Sequence, residues 1–317
     1  MANHVKPVSP GCEAGWLPDG FAMIIAFLRS LVAVSLLTCL AGCGETILSP
    51  IGPVGAAERT ILLDALAIML AIVVPTMVAT LAFAWWYRAG NARARRLPTF
   101  QYSGQLELLV WSVPALVVLF LGGIAWISSH ELDPAQPLPS KTKPLEVEVV
   151  SLDWKWLFIY PGQKIASINR LVVPAGVPLH MRVTSATVMN VFFVPRLGSE
   201  IYSMSGMATQ INLQADRPGT YPGLSANFSG DGFSDMRFTL EAVDFDTFNS
   251  WVEQTQAQTT SQALDDTSYR DLLRQTSNIQ PYTYRAVDTG LFDRIVSLQL
   301  PSGEGPPATP SPSAGNL

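Results

Sequence analysis

Cysteine is nearly missing from this 317-residue chain. Its three copies, Cys12, Cys39 and Cys43, all fall within the first 43 positions. Everything after Cys43 therefore forms neither a disulfide nor a thiolate metal site. Histidine is as scarce, with only His4, His130 and His180. A lone His180 in a β-rich region reads as a surface or packing residue. Charge is sparse as well, at 14% of residues with a formal net charge of −5, which argues against a nucleic-acid partner. There is no phosphate-binding glycine loop, no catalytic triad pattern, no paired-carboxylate site and no internal repeat.

What is abundant is apolar sequence, 48% of the chain. Leu66–Trp86 and Leu108–Ser128 are each 21 residues without a charge. About 20 apolar residues cross a hydrocarbon core of about 30 Å, so both are predicted membrane spans, framed as a hairpin over residues 61–129. Pro75 and Pro114 are tolerated there. Trp85, Trp86, Tyr87 and Trp126 suit the membrane–water interface. The connection between the spans carries Arg88, Arg93, Arg95 and Arg96 and no acid, whereas the outer flanks are mixed or acidic, with Glu58 and Arg59 on one side and Glu131 and Asp133 on the other. The positive-inside rule puts the arginine turn in the cytoplasm and both termini in the periplasm of a bacterial inner membrane. Upstream, Arg29, the apolar run Leu31–Leu40 and Leu40-Ala41-Gly42-Cys43 read as a lipoprotein-type signal (1–42). Cys43 is then the lipidated first residue of a periplasmic segment, 43–60. Met1 and Met23 both remain possible starts.

Residues 130–144 read as a linker. From Leu145 to about 245, short runs of alternating or β-branched residues are punctuated by Pro161-Gly162, Pro174-Ala175-Gly176 and Arg217-Pro218-Gly219, the pattern of a β-sandwich. The runs are Leu145–Leu152, Ile168–Val173, Leu179–Val183, Val191–Val194, Thr209–Leu213 and Met236–Ala242. Asp153–Pro161, DWKWLFIYP, is dense in aromatics. Asp246–Thr255 and Ser268–Thr276 read as amphipathic helices of a C-terminal arm (246–300), and 301–317 as a disordered tail.

One loop carries the functional signal. Gly219–Met236 reads GTYPGLSANFSGDGFSDM. Its spacing fits the copper-binding loop G-x-C-x3-C-x3-H-x2-M, with Ser225 and Ser229 at the thiolate positions, Phe233 at the imidazole position and Met236 retained. A one-electron copper relay needs soft thiolate and imidazole donors, which serine hydroxyls and one thioether do not supply. Upstream, Thr187–Pro195 puts Asn190 at the other histidine position, and Asn227 stands where the copper pattern has glutamate.

On these motifs the chain resembles the copper-ligand-less subunit II of the cytochrome bo-type ubiquinol oxidases, in the haem–copper oxidase superfamily. The resemblance runs from Cys43 to about Tyr284. It implies a two-helix transmembrane hairpin followed by a periplasmic cupredoxin-like Greek-key sandwich and a helical arm. It also implies a non-catalytic subunit of a proton-pumping quinol oxidase that has lost its binuclear copper centre. The implied partners are subunits I, III and IV, membrane lipids, and ubiquinol reached through subunit I, which holds the haems and the remaining copper. No cofactor is expected in this chain. Glu107, before the Trp111–Pro114 stretch, matches a glutamate at the mouth of a proton channel, although on physics alone it simply snorkels to water. Trp154 and Trp156 are expected to pack against the membrane subunits. Phe233 and Met236 are expected to fill the former metal pocket, with Ser225 and Ser229 satisfying loop backbone. Two rival readings are a copper-bearing cytochrome c oxidase subunit II and a scaffold lipoprotein without an oxidase.

Overall fold

The computed structural model describes residues 47–95 and 99–305. The expected signal segment, the lipidation position Cys43, Arg96 and most of the expected tail (306–317) lie outside the described residues. The two apolar runs are helices α1 (Pro53–Trp86) and α2 (Gly104–Glu131). Both are long and apolar enough to cross a membrane, and among the described residues nothing buries their apolar windows. At 34 residues α1 is about 51 Å long, well beyond the hydrocarbon thickness. It starts at Pro53, ahead of Glu58, Arg59 and Asp64, because proline at the first helical position is preorganised and acids in early turns are tolerated. The charge-free run marked where the helix becomes membrane-compatible, not where it begins.

The helix hairpin is fastened to the sandwich at both of its outer ends. Before α1, the Ile51 N–H donates to Arg196 O (2.9 Å) and the Asp216 N–H donates to Ile51 O (2.8 Å). The Gly55 N–H donates to Leu197 O (2.9 Å). After α2, Pro134 O accepts the Asn212 backbone N–H (2.9 Å) and its Nδ2 (3.0 Å). The stretch read as a linker is thus tied down at Pro134. Both attachments lie on the same side of the hairpin, so the turn with Arg88, Arg93 and Arg95 is at the far end.

The sandwich has strands β1 (Leu145–Leu152), β2 (Lys155–Tyr160), β3 (Ile165–Ile168), β4 (Arg170–Pro174), β5 (Pro178–Ser185), β6 (Asn190–Phe193), β7 (Ile201–Ser203), β8 (Thr209–Gln214), β9 (Gly219–Ser225) and β10 (Arg237–Val243). The C-terminal stretch adds α3 (Phe245–Ala257), β11 (Ala263–Leu264), α4 (Asp266–Leu272), β12 (Tyr282–Tyr284), β13 (Ala286–Val287) and α5 (Leu291–Val296). One sheet has the order β12-β3-β2-β1-β5-β8 and the other β4-β10-β9-β6-β7. The parallel pairs β1–β5 and β10–β4 within otherwise antiparallel sheets come from the crossovers of a Greek key. Trp156, Phe158, Phe192 and Phe238 interlock between the sheets, with ring centroids 5.1–6.4 Å apart. Such aromatic contacts dominate core energetics.

Two expectations are corrected here, and one strand is added. The run Ile168–Val173 is not one strand. Asn169 adopts a left-handed φ of 55°, its Oδ1 accepts the Trp156 N–H (2.8 Å), and the chain passes from β3 in one sheet to β4 in the other. Asparagine tolerates this conformation, which makes it the corner. The aromatic stretch DWKWLFIYP contains β2, all six residues of which are buried, so no alternation marks it.

The C-terminal stretch is not a purely helical arm. β12 joins the first sheet at its edge, and Leu264, Tyr269, Leu272, Leu291, Phe292 and Ile295 form a second core with Val150, Leu152, Leu157 and Ile159. That cover explains why the first sheet is apolar on both faces. Lys155 points into it, where its Nζ donates to Arg274 O (2.7 Å) and to Thr276. Burial lowers this amine to about 8, with Asp153 opposing the shift.

Glu148 on β1 faces Arg182 on β5 (3.2 Å), and Arg182 also binds Asp293 of α5 (2.8 Å) and lies over the Phe292 ring (4.7 Å). Burial raises Glu148 to about 7, with Arg182 opposing the rise. An acid whose folded pKa is raised above 4.5 holds its proton longer when folded. Its contribution is therefore fully present below pH 4.5 and is lost as pH climbs through about 7. The variant E148Q is expected to flatten the fall in thermal stability between pH 4.5 and 7. A melting series showing the same slope in both proteins would place the pH dependence elsewhere.

Candidate functional site

The loop Gly219–Met236 is built from β9, a turn and a 3-10 turn at Phe233–Asp235 leading into β10. β9 is held between β10 and β6, with Ser225 opposite Phe192. Two distant sequence segments meet there. Ser225 Oγ donates to Asn190 Oδ1 (3.1 Å), lies 3.4 Å from Asn227 O, and accepts the Val191 N–H at 3.5 Å. Asn190 Nδ2 donates to Val188 O (3.2 Å). Ser229 Oγ approaches Met236 Sδ (3.9 Å). Asn190, Ser225, Ser229 and Met236 are all buried. Four of the six positions singled out by the copper-loop frame therefore share one interior cluster.

The other two face outward. Asn227 is half-buried, and its Nδ2 donates to Met189 O (3.1 Å), tying the loop to the segment before β6. Phe233 does not fill the interior. It is half-buried and stacks edge-on against Phe228 (5.6 Å), whose own side chain is largely exposed. Of the two, Met236 alone is buried, and a methionine side chain adapts to irregular interior space.

Trp154 has a role within its own chain that the sequence reading missed. At φ 63° in the β1–β2 turn, it lays its ring over Gly232, where an added Cβ would sit 2.3 Å from the indole. Its Nε1 donates to Ser229 O (3.0 Å). Trp154 thus clamps the loop of its own chain, and Trp156 lies fully buried in the core. Trp156 is therefore unavailable to a membrane partner. The signal was present in the spacing: a two-residue hairpin turn at Asp153-Trp154 projects the indole off the sheet end.

The donor set decides what this cluster can hold. A primary amide, two hydroxyls and one thioether are neutral at any physiological pH. Ser225 and Asn190 already satisfy one another and the backbone, and the Ser229 hydroxyl turns to the Met236 thioether. Such a set does not fit a binuclear copper centre, which requires bridging thiolates and imidazole. Its evident capacity is to hold the loop in shape, since buried polar groups must be paired.

The remaining candidates lie apart from this cluster. Glu107 is in the first turn of α2, after the N-capping position Ser103, and is exposed in this chain. His180 is partly buried, 3.0 Å from Asn212 Oδ1 and 3.8 Å from Glu146, a packing and pairing role.

Residues 146–243 match the family model for the periplasmic domain of cytochrome c oxidase subunit II. The chain is 46% identical over 276 residues to ubiquinol oxidase subunit 2 of Acetobacter aceti, covering 86% of this chain and 89% of that protein. It is 43% identical over 276 residues to cytochrome bo(3) ubiquinol oxidase subunit 2 of Pseudomonas aeruginosa, covering 87% and 83%. Quinol oxidase subunit 2 of Bacillus cereus is 35% identical over 250 residues, covering 78% and 85%. Similarity of this extent, spanning both the helix hairpin and the sandwich, shows that the chain belongs to the ubiquinol oxidase subunit 2 family.

Proposed function

We propose that this chain is a copper-free, non-catalytic subunit II that braces a proton-pumping quinol oxidase from the periplasmic side. The observation that supports it is the buried cluster of Asn190, Ser225, Ser229 and Met236. These side chains are hydrogen-bonded and packed where a copper relay would need ionised soft donors. Without that relay, electrons from a water-soluble donor have no entry through the sandwich. A lipid-soluble donor, ubiquinol, instead meets the complex within the bilayer at subunit I, which carries the haems and the remaining copper. Subunits III and IV complete the assembly.

The arginine-rich turn supports a cytoplasmic far end and a periplasmic sandwich. On this orientation Cys43 is exported, and its acylation adds an anchor beside the two spans. Glu107 stands at the cytoplasmic end of α2, where it serves the mouth of a proton path in subunit I; an ionisable group at that depth is a functional candidate with a stated rationale.

The test is oxygen uptake by the complex that co-purifies with the tagged chain, driven by ubiquinol and, separately, by reduced cytochrome c. Uptake with quinol alone is expected. Uptake with cytochrome c would overturn the copper-free reading, and uptake with neither, in a preparation lacking haem, would favour a scaffold lipoprotein.

A further inference from the structure

The C-terminal stretch does more than cover a sheet. Between the last turns of α3, the 259–262 loop and the edge strand β12 it leaves an open cleft of about 730 Å³. Its walls carry Trp251, Tyr282 and Tyr284, with the two tyrosine rings set edge to face at 5.5 Å. A second cleft of about 480 Å³ begins across the ridge made by Pro281 and the Asn169–Arg170 corner. Residues on that ridge line both: Pro281 is common to the two, Arg170 faces one, and Asn169 faces the other. The pair therefore makes one extended track rather than two isolated hollows.

The polar groups of the first cleft are carboxamides and hydroxyls with one arginine, whereas the second also carries Asp235 and Arg237. Arg170 is already engaged bidentately by Glu241 (2.9 and 2.7 Å). Gln258 is oriented by Thr283, whose hydroxyl donates to its Oε1 at 3.2 Å, and Ser261 Oγ donates to Thr283 O, which closes the open edge of β12 to strand addition. Gln254 and Gln262 in the first cleft and Gln280 in the second make no side-chain hydrogen bond within the described residues. A carboxamide presents donor and acceptor side by side, matching vicinal hydroxyls or another amide. An aromatic wall beside a few convergent polar groups, in a cleft of several hundred Å³, is the form of a ligand site.

The geometry points to the first cleft as a binding site for a neutral, acetamido-bearing glycan, with pyranose faces against Tyr282 and Trp251 and acetamido and hydroxyl groups on Gln254 and Gln262. A charged ligand is not favoured in the first cleft, because its arginine is neutralised by Glu241, and an added peptide strand is not favoured there, because Ser261 occupies the Thr283 carbonyl at the β12 edge. On the periplasmic placement of the sandwich proposed above, such a ligand is a wall-type polysaccharide, but the chemistry stands without that placement.

The experiment is saturation-transfer-difference NMR with the whole detergent-solubilised complex and chitotetraose as probe, with maltotetraose and a Gly-Ala peptide as comparisons. Acetyl-methyl saturation by the wild type is expected, reduced at least fivefold in Y282A and in the double variant Q254A/Q262A. Both amides are exposed, so the double variant tests the site even where Y282A perturbs packing. Thermal melting checks that each variant is folded. The inference is overturned by absent transfer to chitotetraose, by transfer unchanged in the folded double variant, or by equal transfer to maltotetraose. Stronger transfer to the peptide would overturn it in favour of a polypeptide ligand.

Discussion

Replacing five side chains together, as N190H, S225C, N227E, S229C and F233H, is expected to create stoichiometric copper binding, with none expected of the unaltered chain. The argument rests on how little backbone has to move. Ser225 Oγ is already 3.1 Å from the Asn190 side chain, and Met236 is buried 3.9 Å from Ser229 Oγ. Serine and cysteine differ by one atom, so two thiols would enter a cluster whose spacing is set by β9, β6 and the Trp154 clamp. Phe233 is the demanding position. It faces Phe228, so an imidazole there must turn inward, and its only inducement is the metal bond. The double variant S225C/S229C is accordingly expected to bind more weakly than the fivefold variant. Metal content per chain and visible thiolate-to-copper absorption are the measurements. A folded fivefold variant with no more copper than its parent would show that the loop has drifted out of metal-binding shape.

The same residues show how far a sequence can be read. Spacing alone aligned Ser225, Ser229, Phe233 and Met236 with a ligand frame, because loop length is a covalent property. Which of them face inward is not. Phe233 is large and apolar, and burial was the natural expectation, yet the 3-10 turn at Phe233–Asp235 points it at exposed Phe228. The fold class was legible for similar reasons. Uncharged runs of 21 residues and alternating strands such as β1 carry their environment in their composition. β2 was not legible as a strand, because a strand buried on both faces has no alternation to show. The return of Tyr282–Tyr284 to the sheet edge was hidden as well, since pairing to Ile168 across more than a hundred residues leaves no local mark. Nor did the sequence disclose that Lys155 would be buried, because its partners Arg274 and Thr276 are brought to it only by that return.

The attachment of helix hairpin to sandwich yields the second large effect. A Cβ on Gly52 would stand 2.0 Å from the Gln214 carbonyl oxygen, and the obstacle is backbone, not a flexible side-chain end. The Gly52→Val variant therefore has to push β8 and the start of α1 apart. That movement strains three bonds at once: Ile51 N–H to Arg196 O, Asp216 N–H to Ile51 O and Gly55 N–H to Leu197 O. At about 0.5–1.5 kcal/mol net for each, their loss amounts to roughly 2–4 kcal/mol. Neither the interlocked aromatics of the sandwich nor the apolar faces of the helices are touched, so each part stays folded while the joint between them loosens. The expected result is a chain that still inserts and whose sandwich still resists protease, but which yields several-fold less assembled, quinol-oxidising complex. Cleavage newly appearing around residues 47–55 would locate the damage at the joint. If G52V assembles as well as the parent with no new cleavage, the sandwich is held over the membrane by partner subunits rather than by its own helix, and the bracing role would pass to them.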